Sequence, residues 1–271
     1  MLEFGTLQYS DNYLLLIKIN CDIELGHHYT GSTTVALICS KFQFEPGTTK
    51  MRLKILRLIS YYFPISKKLP SVYSGLLELK FVDGKMLLDS SYSSHSYGIL
   101  QKVLEFALRH IELSNIQTVL LLGLGGGSVI KSLRGRFRYK GKIDAVEIDP
   151  LMISIAGKEF GIVTDERTQI ECCEASTYVS GETKTFDLII VDLFIGNQVS
   201  EKILSDDFWC ALKDRVSPNG YIIFNSMHES YSITHTIKNE FIKWGFLVKE
   251  YNHIESYNTV LIAESRLNWF G

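Results

Sequence analysis

The sequence is short of several things, and each shortage removes a class of function. Its five cysteines, Cys21, Cys39, Cys172, Cys173 and Cys210, form no C-x-x-C pair. An odd count without paired spacing offers neither a disulfide framework nor a zinc knuckle, and it suits a reducing compartment. Charge of one sign is also missing: 28 Lys and Arg against 30 Asp and Glu leave a net charge of -2. Such a field does not gather polyanions, which argues against general nucleic-acid binding. No apolar run reaches the roughly 18 residues a membrane span requires, and the first residues lack a signal-peptide layout. A cytoplasmic protein is expected. The seven histidines show no ligand spacing, so no metal site is expected. Acidic residues vanish between Glu45 and Glu78, where Lys50, Arg52, Lys54, Arg57, Lys67 and Lys68 lie among Leu53, Ile55, Leu56, Leu58 and Ile59. This basic amphipathic segment reads as a solvated helix packed on its own domain rather than a membrane-surface element.

What is present is enough for a sizeable core: hydrophobic residues make up 46% of 271 positions, which excludes global disorder. At this length one large domain with a small appendage is expected. From about Gln117 onward, short apolar runs alternate with helical patterns. The runs Thr118–Gly123, Lys142–Ile148, Gln169–Cys173, Phe186–Asp192 and Tyr221–Asn225 are nearly continuous, as in a parallel sheet covered by helices on both faces. Helices are predicted at Ser128–Gly135, Pro150–Phe160, Ser200–Val216 and Ser230–Trp244. Phe246–Tyr251 and Thr259–Ala263 follow so closely that they can pair only as antiparallel neighbours. The adjacent Cys172 and Cys173 read as two small buried hydrophobes at a strand end.

Upstream, Leu76–Val82 and Lys85–Asp89 flank Asp83-Gly84, the strongest hairpin signal in the chain. A helix from about Tyr97 to His110 leads into the first parallel strand. Residues 1–50 show the alternating run Tyr13–Ile19 and little else that is periodic, and Met51 is a candidate true start. The division expected is an N-terminal extension (1–50), a small β-hairpin region (51–96) and a Rossmann-like domain (97–271).

The chemistry gathers at strand ends. Val119-Leu-Leu-Leu-Gly123-Leu-Gly125-Gly126-Gly127-Ser128 puts glycines where a buried strand turns into a helix. Side chains there would hold a ligand away from the backbone and from the free N–H groups of the helix start. No Gly-Lys-Ser/Thr follows, so a P-loop is excluded. Glu147 ends the second strand, where a carboxylate can accept both hydroxyls of a ribose. Glu174 follows the third strand, where a carboxylate or amide could meet an adenine amino group, and Asp192 ends the fourth. Carboxyl ends of parallel strands share one rim of the sheet, so glycines and three acids on successive strands form a nucleoside-binding signature. A nicotinamide dehydrogenase fits poorly, because Ser128 replaces its third glycine and the final hairpin is foreign to it.

These residues resemble the spermidine synthase family of class I methyltransferase-fold proteins, over about Leu76 to Ala263. The resemblance implies an α/β fold: a Rossmann-like, mostly parallel sheet with a C-terminal antiparallel hairpin, preceded by a small N-terminal β region. The family's G-G-G-D-G-G loop corresponds to Gly123–Ser128, which makes Gly123, Gly125, Gly126 and Gly127 cofactor-binding candidates. Its ribose acid corresponds to Glu147 in Val-Glu-Ile-Asp, its Gly-Asp adenine motif to Cys173-Glu174, its catalytic Asp to Asp192 and its active-site Tyr to Tyr97. The implied cofactor is S-adenosylmethionine or its decarboxylated form, and the implied partners are a small-molecule acceptor, such as an amine, and further copies of the chain in an oligomer.

The departures discriminate between chemistries. The loop Asp that holds the ammonium tail of decarboxylated S-adenosylmethionine in the family is Gly126 here, and the second Asp of D-S-S-D falls on Ile195. Leu87 and Gly98 stand near where the family has a Gln and a polar residue. An Asp at position 126 would repel the carboxylate of ordinary S-adenosylmethionine by roughly 3–4 kcal/mol at about 5 Å and an effective dielectric of about 20. Gly126 removes that repulsion together with the pairing to the decarboxylated tail. The sequence therefore leans toward methyl transfer, with aminopropyl transfer to a polyamine as the close rival and a non-catalytic nucleoside-binding scaffold as the alternative of another class. Asp192 is the candidate base or substrate orienter, and Tyr97 a substrate-pocket donor or aromatic wall.

Overall fold

The computed structural model describes residues 7–9, 12–14, 60–61, 65–90, 97–195, 198–199, 205–227, 231–256 and 258–266. The chain divides into two units, Met1–Arg52 and Leu53–Gly271. In the first, β1 (Leu7–Tyr9) and β2 (Asn12–Leu14) pair antiparallel, with Gln8 opposite Tyr13. The rest of the alternating run after Leu14 lies outside the described residues.

The second unit opens with a three-stranded antiparallel sheet of β3 (Ile65–Ser71), β4 (Gly75–Val82) and β5 (Lys85–Ser90), in that order. Asp83 and Gly84 join β4 to β5 with φ of 50° and 70°, the two positive angles that a type I′ turn needs to match the strands' twist. One expectation fails here. Lys67 and Lys68 are not on a helix: they sit exposed on β3, with Lys68 opposite Glu78 of β4. Period-2 pairing with β4, whose Leu77 and Leu79 are buried, overrides the helical reading of that stretch; residues 51–59 lie outside the described ones.

Helix α1 (Tyr97–Leu108) leads into the main sheet. That sheet comprises β6 (Thr118–Leu122), β7 (Lys142–Glu147), β8 (Thr168–Cys172), β9 (Phe186–Val191), β12 (Val216–Met227), β13 (Leu247–Ile254) and β14 (Asn258–Glu264), in the order β13-β14-β12-β9-β6-β7-β8. Between its strands lie α2 (Ser128–Gly135), α3 (Pro150–Phe160), α4 (Ala175–Gly181), α5 (Asp206–Lys213) and α6 (Tyr231–Lys243). The pairs β6–β7, β7–β8, β6–β9 and β9–β12 are parallel, whereas β14 is antiparallel to both β12 and β13.

Apolar runs are continuous because both sheet faces are covered. Leu120 and Leu122 of β6 join Phe208, Trp209 and Leu212 of α5 and Phe241 of α6 on one face. Val119 and Leu121, one residue out of phase, join Leu104 and Leu108 of α1 and Val129 and Leu133 of α2 on the other. Side chains alternate across a strand, so a buried strand must be apolar at every position.

Local signals placed most element ends. Asp149 caps α3 by accepting from Leu151 N, Pro150 opens it, and Gly161 closes it at φ 72°. Ser205 caps α5 by accepting from Phe208 N. Val216, expected in that helix, instead opens β12, with a register shift against β9 between Val216 and Tyr221. The short helix α4 and the two-residue strands β10 (Phe194–Ile195) and β11 (Gln198–Val199) had no periodic signal to announce them. Cys172 is exposed and Cys173 partly buried, so the expectation of two buried cysteines is corrected. β8 is an edge strand, and its outer end is covered less than a central strand's would be.

Candidate functional site

The strand order sets the site. The chain leaves β6 toward β7 and β8, then returns to the other side of β6 with β9. Between β6 and β9 the direction of winding reverses, and there the loops at the strands' carboxyl ends diverge and open a crevice. Register brings the candidate residues to that rim. Leu122 lies opposite both Val146 and Val191, so the next residues, Gly123, Glu147 and Asp192, stand side by side. Phe224 lies opposite Val191, which places Asn225 next to Asp192.

The glycines divide into two kinds. Gly123 has φ 94°, and a Cβ on it would stand 2.2 Å from the backbone oxygen of Asp192. Gly127 has φ 80°, caps α2, and would drive a Cβ to within 2.5 Å of Ile162. Both are needed by the fold itself. Gly125 has φ 52° but open space where a Cβ would be, the arrangement of a turn shaped for close approach by something from outside. Gly126 is buried.

Glu147 is wired into this turn. Its Oε2 accepts from Gly125 N at 3.0 Å and its Oε1 from Asp149 N at 3.0 Å. A carboxylate has about four acceptor positions, so acceptor capacity remains for a further donor. Burial raises the Glu147 pKa; the backbone N–H groups of Asp149, Gly125 and Ile148 pull the other way without overcoming it. Asp192 accepts from Asn225 Nδ2 at 2.8 Å through Oδ1. Burial pushes its carboxyl up to about 6, and the Asn225 hydrogen bond moderates the rise. A carboxyl that titrates near neutrality can hold or accept a proton under ordinary conditions.

Glu174 reaches the same rim but is employed locally. It caps α4, its Oε2 taking Thr177 N and the hydroxyls of Thr177 and Ser176. Tyr97 is the first residue of α1, and its side chain lies outside the described ones. Ile195 is in β10.

The chain is similar to known proteins in sequence and in fold. The spermine/spermidine synthase domain model matches residues 101–264, more than half of the chain and all of the main sheet's parallel strands. The chain belongs to the spermine/spermidine synthase family. A polyamine aminopropyltransferase of Vibrio vulnificus is 28% identical over 122 residues, which covers 44% of this chain and 40% of the relative. The eEF1A lysine and N-terminal methyltransferase of Mus musculus is 36% identical over 80 residues, 28% of this chain and 11% of the relative. The chain thus spans less than half the length of these curated relatives. Among solved structures, a probable spermidine synthase from Corynebacterium glutamicum superposes with a TM-score of 0.53 at 15% identity, covering 75% of this chain and 77% of that one. Human methyltransferase-like protein 13 in complex with SAH superposes with a TM-score of 0.50 at 22% identity, covering 64% and 82%. These two structures share the fold: a Rossmann-like, mostly parallel sheet ending in antiparallel strands.

As a member of the spermine/spermidine synthase family, the chain carries two features at the rim that its motifs did not announce. Asp149, 1% exposed, accepts the hydroxyls of Ser71 and Ser74, so the β3–β4 turn is tied to the strand end that carries Glu147. Asn225 and Asn258, 0% and 2% exposed, form an amide pair next to Asp192. A polar residue closing an otherwise apolar run, Tyr-Ile-Ile-Phe-Asn, was the available signal for the second. Among the described residues no three His, Cys, Asp or Glu side chains are grouped to hold a metal, and no helix is long and apolar enough to cross a membrane.

Proposed function

We propose that this chain is a transferase that binds S-adenosylmethionine and moves its methyl group to a small acceptor. The observation that carries the proposal is the rim itself: an open Gly125 turn wired to Glu147, with Gly126 where the family has an aspartate. Glu147 keeps acceptor capacity for a ribose hydroxyl, and Gly125 has room for a ligand against the backbone. Glu174 would face the base end from the start of α4. The residues present therefore fit the nucleoside part of either cofactor form, while Gly126 favours the form that keeps its carboxylate. The mouse relative, a methyltransferase by name, supports the same direction.

When bound, the cofactor supplies a carbon attached to a sulfonium, which is already a good leaving group. The protein's task is then alignment and proton management. Asp192 would orient the acceptor and take the proton from an amine or hydroxyl as it attacks. Tyr97, at the first turn of α1, would wall or hydrogen-bond the acceptor. The three-stranded sheet would act as an accessory to residues 97–271, and a cytoplasmic location and an oligomeric assembly go with the reading.

Aminopropyl transfer is the second reading, favoured by the names of relatives such as the Vibrio enzyme. Calorimetric titration with S-adenosylmethionine and, separately, its decarboxylated form decides between them. Tighter binding of the first, followed by labelled methyl transfer to an acceptor, is the expected result. Tighter binding of the second, with spermidine formed, would replace methyl by aminopropyl transfer. Binding of neither would make the chain a scaffold that retains the fold.

A further inference from the structure

Two asparagine side chains are buried among apolar strands directly behind Asp192. Asn225 of β12 is 0% exposed and Asn258 of β14 is 2% exposed. Asn258 Nδ2 donates to Asn225 Oδ1 at 3.1 Å, and Asn225 Nδ2 donates to Asp192 Oδ1 at 2.8 Å. Burying amides costs free energy unless they are paired, and an apolar pair of similar shape would hold the strands together as well. The pairing has a definite sense. With Asn225 Oδ1 taken by the Asn258 amide, the N–H end of Asn225 is the one left to face the carboxylate. Turned the other way, its oxygen would oppose an ionised Asp192. Among the described residues Asp192 Oδ2 accepts no hydrogen bond, and no charged side chain influences its ionisation.

We propose that Asn225 and Asn258 are positioning residues: Asn258, from the antiparallel hairpin, sets the sense of the Asn225 amide, and Asn225 holds Asp192 with one oxygen engaged and the other presented to the acceptor. The last clause rests on the transferase reading; the relay itself does not. Neither asparagine needs to touch substrate. Because, among the described residues, the Asn225 hydrogen bond is the one interaction that favours the carboxylate form, loosening either member moves the Asp192 titration upward.

The test is carbon NMR of the intact chain with aspartate labelled at the side-chain carboxyl, the Asp192 signal being the one lost in Asp192→Asn. Asn225→Ala is expected to raise its midpoint by about one pH unit, and Asn258→Ala by about half a unit. Thr259→Val is the control: Thr259 is 3% exposed and donates to Asn252 Oδ1, so it removes a partly buried hydrogen bond one residue from Asn258 but outside the relay. It is expected to leave the midpoint unmoved. An unmoved midpoint in Asn258→Ala, or an equal rise in Thr259→Val, would overturn the proposal. Should the asparagine variants not fold, the wild-type chain still answers: the Asn258 side-chain amide nitrogen must titrate with the Asp192 midpoint, and a flat signal rejects the relay. None of these readings needs turnover, so failure to bind either cofactor form would reject the transferase and leave the relay standing.

Discussion

Ser74 Oγ donates to Asp149 Oδ2 at 2.6 Å across 75 residues of sequence. The same oxygen takes Ser71, while Oδ1 caps α3 through Leu151 N and the Asp149 N–H binds Glu147. One buried residue thus joins the small sheet and a helix start through its carboxylate, and the candidate ribose acid through its backbone N–H. Asp149→Ala is expected to lower unfolding stability by about 2–4 kcal/mol, since it orphans a cap and two hydroxyls. Urea denaturation checks the magnitude. Limited proteolysis should find the β3–β4 turn cut sooner in that variant than in Ser71→Ala.

Asp192 yields a prediction whose direction depends on pH. Its carboxyl, ordinarily near 3.8, is raised to about 6 in the folded chain by burial. Between those values the unfolded chain has released the proton and the folded chain still holds it, so stability falls as pH rises through the window and stays low above it. Asp192→Asn removes the penalty. The variant is expected to be more stable than the parent by on the order of 2 kcal/mol at pH 7, and equal to it near pH 4. Paired thermal melts at the two pH values measure this, and an Asp192→Asn protein that is less stable at pH 7 contradicts it. Transfer activity should be lost in the same variant.

The three positive-φ glycines of the turn should separate under the same substitution. Gly123→Ala and Gly127→Ala each combine left-handed backbone with a steric collision, and each should cost about 3 kcal/mol or more. Gly125→Ala meets only the backbone penalty, about 1–2 kcal/mol. Its larger effect should fall on cofactor binding, with affinity reduced by about tenfold or more. Denaturation and calorimetry on the same samples distinguish the two outcomes.

Gly126 is not among the positive-φ glycines, so the backbone there accepts a side chain. Gly126→Asp is expected to shift the preference between the two cofactor forms toward the decarboxylated one by about tenfold or more, given the roughly 3–4 kcal/mol repulsion of a carboxylate tail at about 5 Å. Competition titration of the two forms reads the ratio directly. An unchanged ratio would place the tail away from position 126.

Most of the main sheet was legible because strands such as Val119–Leu122 and Leu188–Val191 are apolar at every position, a pattern forced by helices on both faces. The Asp83-Gly84 turn and the Asp149-Pro150 start were legible for equally local reasons. What escaped depends on partners distant in sequence. Lys67 and Lys68 look helical until β4 is placed beside them, and Val216 looks helical until β9 offers a ladder. At the site, Gly123, Glu147 and Asp192 could be placed on one rim by counting strands. Glu174's capping role could not be distinguished from a ligand role, because the same carboxylate at a helix start serves both. The Asn225–Asn258 pair requires knowing that β14 lies against β12, which no spacing states.

The sheet order has a consequence for how the molecule is completed during synthesis. β14 follows β13 in the chain, yet it lies between β12 and β13 rather than at the edge. Until β14 emerges and inserts, β13 lacks its partner strand in the sheet, and the carboxylate of Asp192 lacks the far end of its amide support. A chain stopped just short of Asn258 would therefore forfeit two strands of the sheet instead of one, and a nascent chain cannot finish its rim before β14 is in place.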